Sequence, residues 1–266
     1  MPPPRPALTH FLCLPLVTPA SRGQLSRSLD DFRADVTGAA SFGLPEDAVR
    51  PLGTLHLTLG VMSLAQKDDL QRAVDVLRTL KPREIRSGVK PPSMPGAARE
   101  APLEQQQAQQ REQGREREQE QSLAPAPLVI TLRGLHTMQT PAKASVLYAP
   151  PADPDGTLQA FCERLRAPFR EAGLMPEEGR PLLLHATVVN TIYVRGGGRG
   201  GPGRRKGAKG GGNRLTVDAR GILDRYDDYV WAEGLRLEKV AICQMGAKKS
   251  ADGEDAAYVV EAEVDI

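Results

Sequence analysis

Two short stretches constrain this chain more than any others: Leu55-His56-Leu57-Thr58-Leu59-Gly60 and Leu184-His185-Ala186-Thr187-Val188-Val189-Asn190-Thr191. Each sets a His-x-Thr triplet in a run of aliphatic residues, the composition of a strand that must bury one side. Side chains at i and i+2 of a strand share a face. His56 and Thr58 therefore share one, and so do His185 and Thr187. The opposite faces would carry Leu55, Leu57, Leu59 and Val61 in the first strand, and Ala186, Val188 and Ile192 in the second. Each strand would pack on a core and offer an imidazole and a hydroxyl on its other side. A lone histidine in an apolar strand is more often structural than catalytic. Two of the chain's four histidines in matching contexts, in separate halves, point instead to a pair.

The flanking segments supply a scaffold. Thr9 to Val17 reads as a first strand, partly an edge because of Pro15, with His10 a strand-end polar residue. Leu25, Leu29, Phe32 and Val36 mark a helix that Ser21 caps and Gly38 ends. After the first motif, Asp68 and Asp69 favour a helix start, with Leu70, Ala73, Val74, Leu77 and Leu80 inward and Pro82 ending it. Leu128–Leu132 and Ser145–Ala149 read as strands with His136 in the loop between them. Leu158, Phe161, Leu165 and Phe169 mark a helix that Pro168 kinks or ends and Gly173 closes. The β-α-β order recurs on both sides of the middle of the chain. Thr216–Tyr229 reads as a helix with Val217, Ile222 and Leu223 inward. Leu235–Met245 and Tyr258–Val264 read as two strands, with Asp252-Gly253 turning between them.

Two segments break this pattern. Residues 91–127 pass from a Pro-rich start into a Gln/Glu/Arg tract, Glu104 to Gln121, too polar to offset the entropy of ordering. Residues 195–214 form a Gly/Arg-rich stretch with several cations and no acid. Both read as disordered insertions in a single domain spanning 6–266. Arg199, Arg204, Arg205 and Lys206 would let the second insertion contact RNA phosphates beside the second motif.

The net charge of +2 makes the chain no polycation, and 4% aromatic content excludes an extended base-stacking platform. Cys13, Cys162 and Cys243 lack ligand spacing and read as reduced core residues of an intracellular protein. The start, broken by Pro15 and Pro19, is not a signal peptide, and no apolar run spans a membrane. Nuclear or cytoplasmic location, a monomeric domain and no membrane partner follow as expectations.

Two histidines across a cleft can work in opposite protonation states. One removes a proton from an attacking oxygen while the other protonates the leaving oxygen. Adjacent threonine hydroxyls can donate to phosphoryl oxygens where charge develops. Nothing offers a carboxylate/His metal cage, so neither metal nor cofactor is expected.

The paired His-Leu-Thr-Leu-Gly and His-Ala-Thr-Val-Val-Asn-Thr signatures resemble those of the two-histidine (2H) phosphoesterases, the superfamily of 2′-5′ RNA ligase. With Thr9-His10-Phe11-Leu12, they resemble more narrowly the phosphoesterase domain shared by A-kinase anchor protein 7 and activating signal cointegrator 1 complex subunit 1, the latter being the closer likeness. The resemblance implies a bilobal, pseudo-two-fold α+β fold with antiparallel sheets lining a central groove. It implies His56 and His185 as the acid/base pair and Thr58 and Thr187 as phosphate ligands. Implied substrates are RNA ends, 2′,3′-cyclic phosphates or 2′-5′ linked nucleotides; the alternative is a non-catalytic RNA- or nucleotide-binding subunit of a transcription-coactivator or repair complex. No KH-type Gly-x-x-Gly module precedes the domain and no amphipathic anchoring helix follows it, so neither RNA targeting by that module nor kinase anchoring is expected. Tyr193, on the His185 face if the strand continues that far, is a candidate for stacking on a base. Asn190 would face the other way.

Overall fold

The first motif folds as β2 (His56–Met62) and the second as β6 (Ala186–Asn190), with His185 immediately before it. In this computed structural model, residues 6–89, 127–153, 156–176, 179–194, 215–251, 253 and 255–266 are described. The Gln/Glu/Arg tract and the Gly/Arg-rich segment with Arg199, Arg204, Arg205 and Lys206 lie outside them, as does Asp252.

The motif strands are neighbours in a seven-stranded sheet. Its members include β1 (His10–Pro15), β4 (His136–Thr137), β5 (Val146–Ala149), β8 (Lys239–Gln244) and β11 (Val260–Asp265). The order is β11-β8-β1-β2-β6-β5-β4, and every neighbouring pair is antiparallel. The two groups of strands, β11-β8-β1-β2 and β6-β5-β4, meet at β2 and β6, which pair only through Leu57↔Ala186. Elsewhere neighbours are zipped more fully; β1 and β2 pair from His10↔Met62 to Pro15↔His56. The seam is thus the loosest line of the sheet, and the motif side chains straddle it.

Helix α1 (Arg22–Thr37) buries Leu25, Leu29, Phe32 and Val36, the stripe its spacing predicts. Helix α2 (Lys67–Thr79) buries Ala73, Val74 and Leu77. Instead of only ending α2, Pro82 opens a further short helix, α3 (Pro82–Ser87), where the first turn tolerates its missing N–H. Helix α4 (Thr157–Glu171) runs through Pro168 and buries Phe161, Leu165 and Phe169. A separate pair, β3 (Val129–Arg133) and β7 (Val230–Arg236), packs against α1, and β9 (Lys248–Lys249) and β10 (Ala256–Ala257) form a small hairpin.

Several sequence expectations change. Strand β1 is interior, between β2 and β8; its pairing with β8 stops at Cys13, so Pro15 lies beyond the ladder it would break. Ser21 makes no capping bond to α1; its hydroxyl donates to the Leu16 carbonyl at 2.6 Å. His10 opens β1 as the expected strand-end polar residue and is buried there, whereas His136 sits on a two-residue strand rather than in a loop. The helix expected over 216–229 shrinks to α5 (Arg220–Arg225), because Val217 exchanges backbone hydrogen bonds with Ala144 at 2.8 and 2.9 Å. The stretch 235–245 is not one strand: β7 ends at Arg236 and β8 begins at Lys239, in different sheets. All three cysteines are buried and free.

Candidate active site

The two motifs repeat one another in three dimensions. From Leu55 to Val61 and from Leu184 to Asn190 the same sequence of burial recurs: buried, half-buried, buried, half-buried, buried, buried, half-buried. The doubled buried position marks a β-bulge. The β1–β2 register jumps from Leu12↔Gly60 to Cys13↔Thr58, skipping Leu59. The β5–β6 register jumps from Leu147↔Val189 to Tyr148↔Thr187, skipping Val188. Both skipped residues stand three positions after the histidine. A bulge inserts one residue and inverts the alternation beyond it. This overturns the simple two-residue reading: Val61 joins the face of His56 and Thr58, and Asn190 joins that of His185 and Thr187. Ile192 is not on the buried face either; the strand ends at Asn190, and Ile192 is 56% exposed.

Since Leu57 pairs with Ala186, antiparallel register sets His56 opposite Thr187 and Thr58 opposite His185. The four side chains form a square on one face, with the two imidazoles on its diagonal.

Each ring is held by the same backbone device. Nδ1 of His56 lies 2.7 Å from the Thr54 carbonyl, and Nδ1 of His185 lies 2.8 Å from the Leu183 carbonyl, in both cases two residues upstream. A carbonyl only accepts, so Nδ1 carries the proton and Nε2 is the nitrogen left for chemistry. Thr58 Oγ1, 3.0 Å from Nε2 of neutral His56, is then the donor to it. Burial pushes the His56 imidazolium down to a pKa of about 4; the Thr54 carbonyl works against this, while charge on His185 and on Arg50 adds to it. His185 is lowered too, first by burial, against its bond to Leu183, with a further contribution from Arg180. Both histidines thus favour the neutral form.

The surroundings differ on the two sides. Phe11 lies 4.8 Å from the His56 ring at a 33° tilt, and Tyr258 meets it edge-on at 5.3 Å. Tyr148 meets His185 edge-on at 5.4 Å and is stacked with His136 at 5.8 Å. Thr58 lines two clefts. One, of about 250 Å³, is shared by His56, Thr187, Arg50, Tyr193 and Tyr258. The other, of about 600 Å³, is shared by His185, Tyr148, Arg166 and Arg180. The structure therefore brings His56, Thr58, His185 and Thr187 together. Tyr193 also reaches this region, though not along the strand: it lies in a 3-10 turn, Thr191–Tyr193, capped by Asn190 Oδ1 accepting from the Ile192 N–H at 3.1 Å.

Arg50, Arg180, Tyr148 and Tyr258 do not stand out in the sequence. For the arginines a signal exists: Arg50-Pro51-Leu52 precedes His56 much as Arg180-Pro181-Leu182 precedes His185, so the repeat begins upstream of the His-x-Thr triplets. Among the described residues no group of three or more His, Cys, Asp and Glu side chains is arranged to hold a metal.

Twin His-x-Thr strands, bulged alike and joined at an open seam, have the arrangement that the resemblance to the two-histidine phosphoesterases leads one to expect. The chain belongs to the AKAP7 2′5′ RNA ligase-like domain family, whose profile matches residues 8–266. It is 26% identical over 198 residues to activating signal cointegrator 1 complex subunit 1 of Mus musculus, covering 71% of this chain and 45% of that protein. It is 29% identical over 122 residues to an uncharacterized protein of Schizosaccharomyces pombe, covering 45% of this chain and 50% of the other. The chain spans about half the length of these curated relatives. Among solved structures, E. coli LigT complexed with 3′-AMP aligns with a TM-score of 0.47 at 11% identity, over 97% of this chain and 98% of that one.

Proposed function

We propose that this chain is a metal-independent phosphodiesterase acting on RNA ends, 2′,3′-cyclic phosphates or 2′-5′ linked nucleotides. The observation that carries this is the square of His56, Thr187, Thr58 and His185 across the seam, with both Nδ1 atoms committed to backbone carbonyls. Family membership supports it. In hydrolysis of a cyclic phosphate, Nε2 of His56 takes a proton from water as its oxygen bonds to phosphorus. His185, protonated in the bound complex, gives its Nε2 proton to the departing ribose oxygen as that P–O bond breaks. Burial holds His56 in the neutral form from which a base must start. The phosphate's negative charge favours the imidazolium on His185. In the bound complex the Thr58 hydroxyl turns from Nε2 of His56, its acceptor in the free protein, to a non-bridging oxygen, which frees that nitrogen for the water; the Thr187 hydroxyl donates to a non-bridging oxygen too.

A second reading, a nucleotide-binding subunit of a larger assembly, draws on the name of the mouse relative as a complex subunit. Chelator-treated protein assayed on 2′,3′-cyclic nucleotides and 2′-5′ oligoadenylate separates the two. His56→Ala and His185→Ala are each expected to lose about 10²–10⁴-fold in turnover with unchanged circular dichroism. Equal turnover by wild type and both variants would refute the catalytic reading. Nucleotide binding by wild type without any turnover would favour the second.

A further inference from the structure

Arg50 is only 5% exposed, yet no carboxylate among the described residues pairs with it. A buried cation without a counter-charge is expensive, and folded proteins normally supply a partner. Here the neighbours are aromatic. The guanidinium carbon lies 3.8 Å from the centroid of the Tyr193 ring, and one of its nitrogens donates to the Tyr258 hydroxyl at 3.4 Å. Stacking on an aromatic face fixes the plane of the fork while leaving its remaining N–H donors without anions. The backbone is equally fixed: the Arg50 N–H donates to the carbonyl of Val188, the bulged residue of the second motif, at 2.8 Å. The small cleft that Arg50 lines also holds His56, Thr58 and Thr187.

We infer that Arg50 is a substrate-binding residue, whose guanidinium, stacked on Tyr193, grips the non-bridging oxygens of the phosphodiester at the His56 side of the seam. The inference rests on the proposed function for the identity of the anion, and it gives Tyr193 another task than the one its sequence position suggests. One face of its ring is taken by Arg50, so Tyr193 positions the cation. The substrate class narrows accordingly. A ligand must bring negative charge to the cleft beside His56, so phosphodiesters and phosphate monoesters are bound and uncharged nucleosides are not.

The test uses inorganic phosphate as the probe, with affinity read by calorimetry and by the shift in melting temperature. Phosphate should bind the wild type and stabilise it. Arg50→Met keeps the bulk of the stem and removes the charge. It should weaken phosphate by about 10- to 100-fold while melting, without phosphate, no lower than wild type, because an unpaired buried charge has gone. A merely structural arginine would give the reverse: a lower melting temperature and unchanged affinity. Tyr193 is 45% exposed, so Tyr193→Leu should fold, and it should weaken phosphate while leaving Arg50 in place. If Arg50→Met does not fold, Arg50→Lys and Tyr193→Leu decide: weaker phosphate in both supports the inference, and wild-type affinity in both overturns it. Failure of wild type to bind phosphate also overturns it. Turnover abolished by His56→Ala but untouched in kcat and KM by Arg50→Met would overturn the inference and leave the hydrolase reading standing. Arg50-dependent phosphate binding without turnover would do the opposite. In an active protein, the acidic limb of the rate profile should move to higher pH in Arg50→Met, since the arginine no longer opposes protonation of His56.

Discussion

Acidification should strain this fold at one identifiable ring. His56 in the folded chain protonates only near a pKa of about 4, against about 6.5 for an unconstrained histidine. The folded state therefore holds fewer protons than the unfolded chain between those limits, and stability rises with pH across that window. Stated in the other direction, the contribution is intact above pH 6.5, declines as pH falls, and is fully lost below about 4. At about 1.4 kcal/mol per unit, the loss amounts to roughly 3 kcal/mol, an upper figure because the ring is not sealed from water. That is a sizeable share of the stability of a typical domain. Urea unfolding at pH 7, 5.5 and 4.5 measures it, with His56→Gln as the reference in which this linkage is absent. His185 shifts the same way and contributes to the slope of both proteins, so the wild-type minus variant difference isolates His56. Titration of the His56 Cε1 proton by NMR gives the same quantity directly. A midpoint near 6.5, or parallel stability profiles for wild type and His56→Gln, would refute the assignment of a desolvated neutral imidazole.

Other consequences are equally open to measurement. A Cβ on Gly60 would run into Met175 Sδ, and Met175 is only 4% exposed, so Gly60→Ala should cost about 1–3 kcal/mol in urea unfolding by forcing that side chain out of place. Thr187→Val removes a hydroxyl from the square while keeping its shape, and should lower kcat on a 2′,3′-cyclic nucleotide by about 10-fold or more with little change in melting temperature. If the segment from Arg195 to Arg214 contacts RNA, replacing Arg199, Arg204, Arg205 and Lys206 together should weaken binding of single-stranded RNA and flatten its salt dependence, by a slope of about 0.7 for each phosphate no longer neutralised. An unchanged slope in a filter-binding titration would exclude that role.

The histidines and threonines were legible because side-chain alternation is written in the order of residues, and so were α1 and α2, whose apolar stripes follow the helical period. The bulges were not. Neither Leu59 nor Val188 differs from an ordinary strand residue, and the insertion exists only relative to the partner strand's register. Strict alternation therefore puts everything beyond them on the wrong face, Val61 and Asn190 alike. The division of 235–245 between two sheets was hidden for a related reason: Leu235, Leu237 and Val240 are all buried, so the hydrophobic pattern carries no mark of the break. Arg50 escapes notice because a lone arginine in a loop reads as surface, and its burial depends on Tyr193 and Tyr258, distant in sequence.

A duplicated motif has a consequence for directionality. Related by a half-turn, the two His-x-Thr strands would meet a phosphorus atom in the same way from either side, and nothing within them distinguishes the 5′ from the 3′ direction of a nucleic acid. Polarity has to come from the unlike margins: Phe11, Tyr258 and the stacked arginine beside one ring, Tyr148 and His136 beside the other. If the chain is the phosphodiesterase proposed above, exchanging residues between those margins, with the motifs themselves left alone, is the change that would redirect it to the opposite bond.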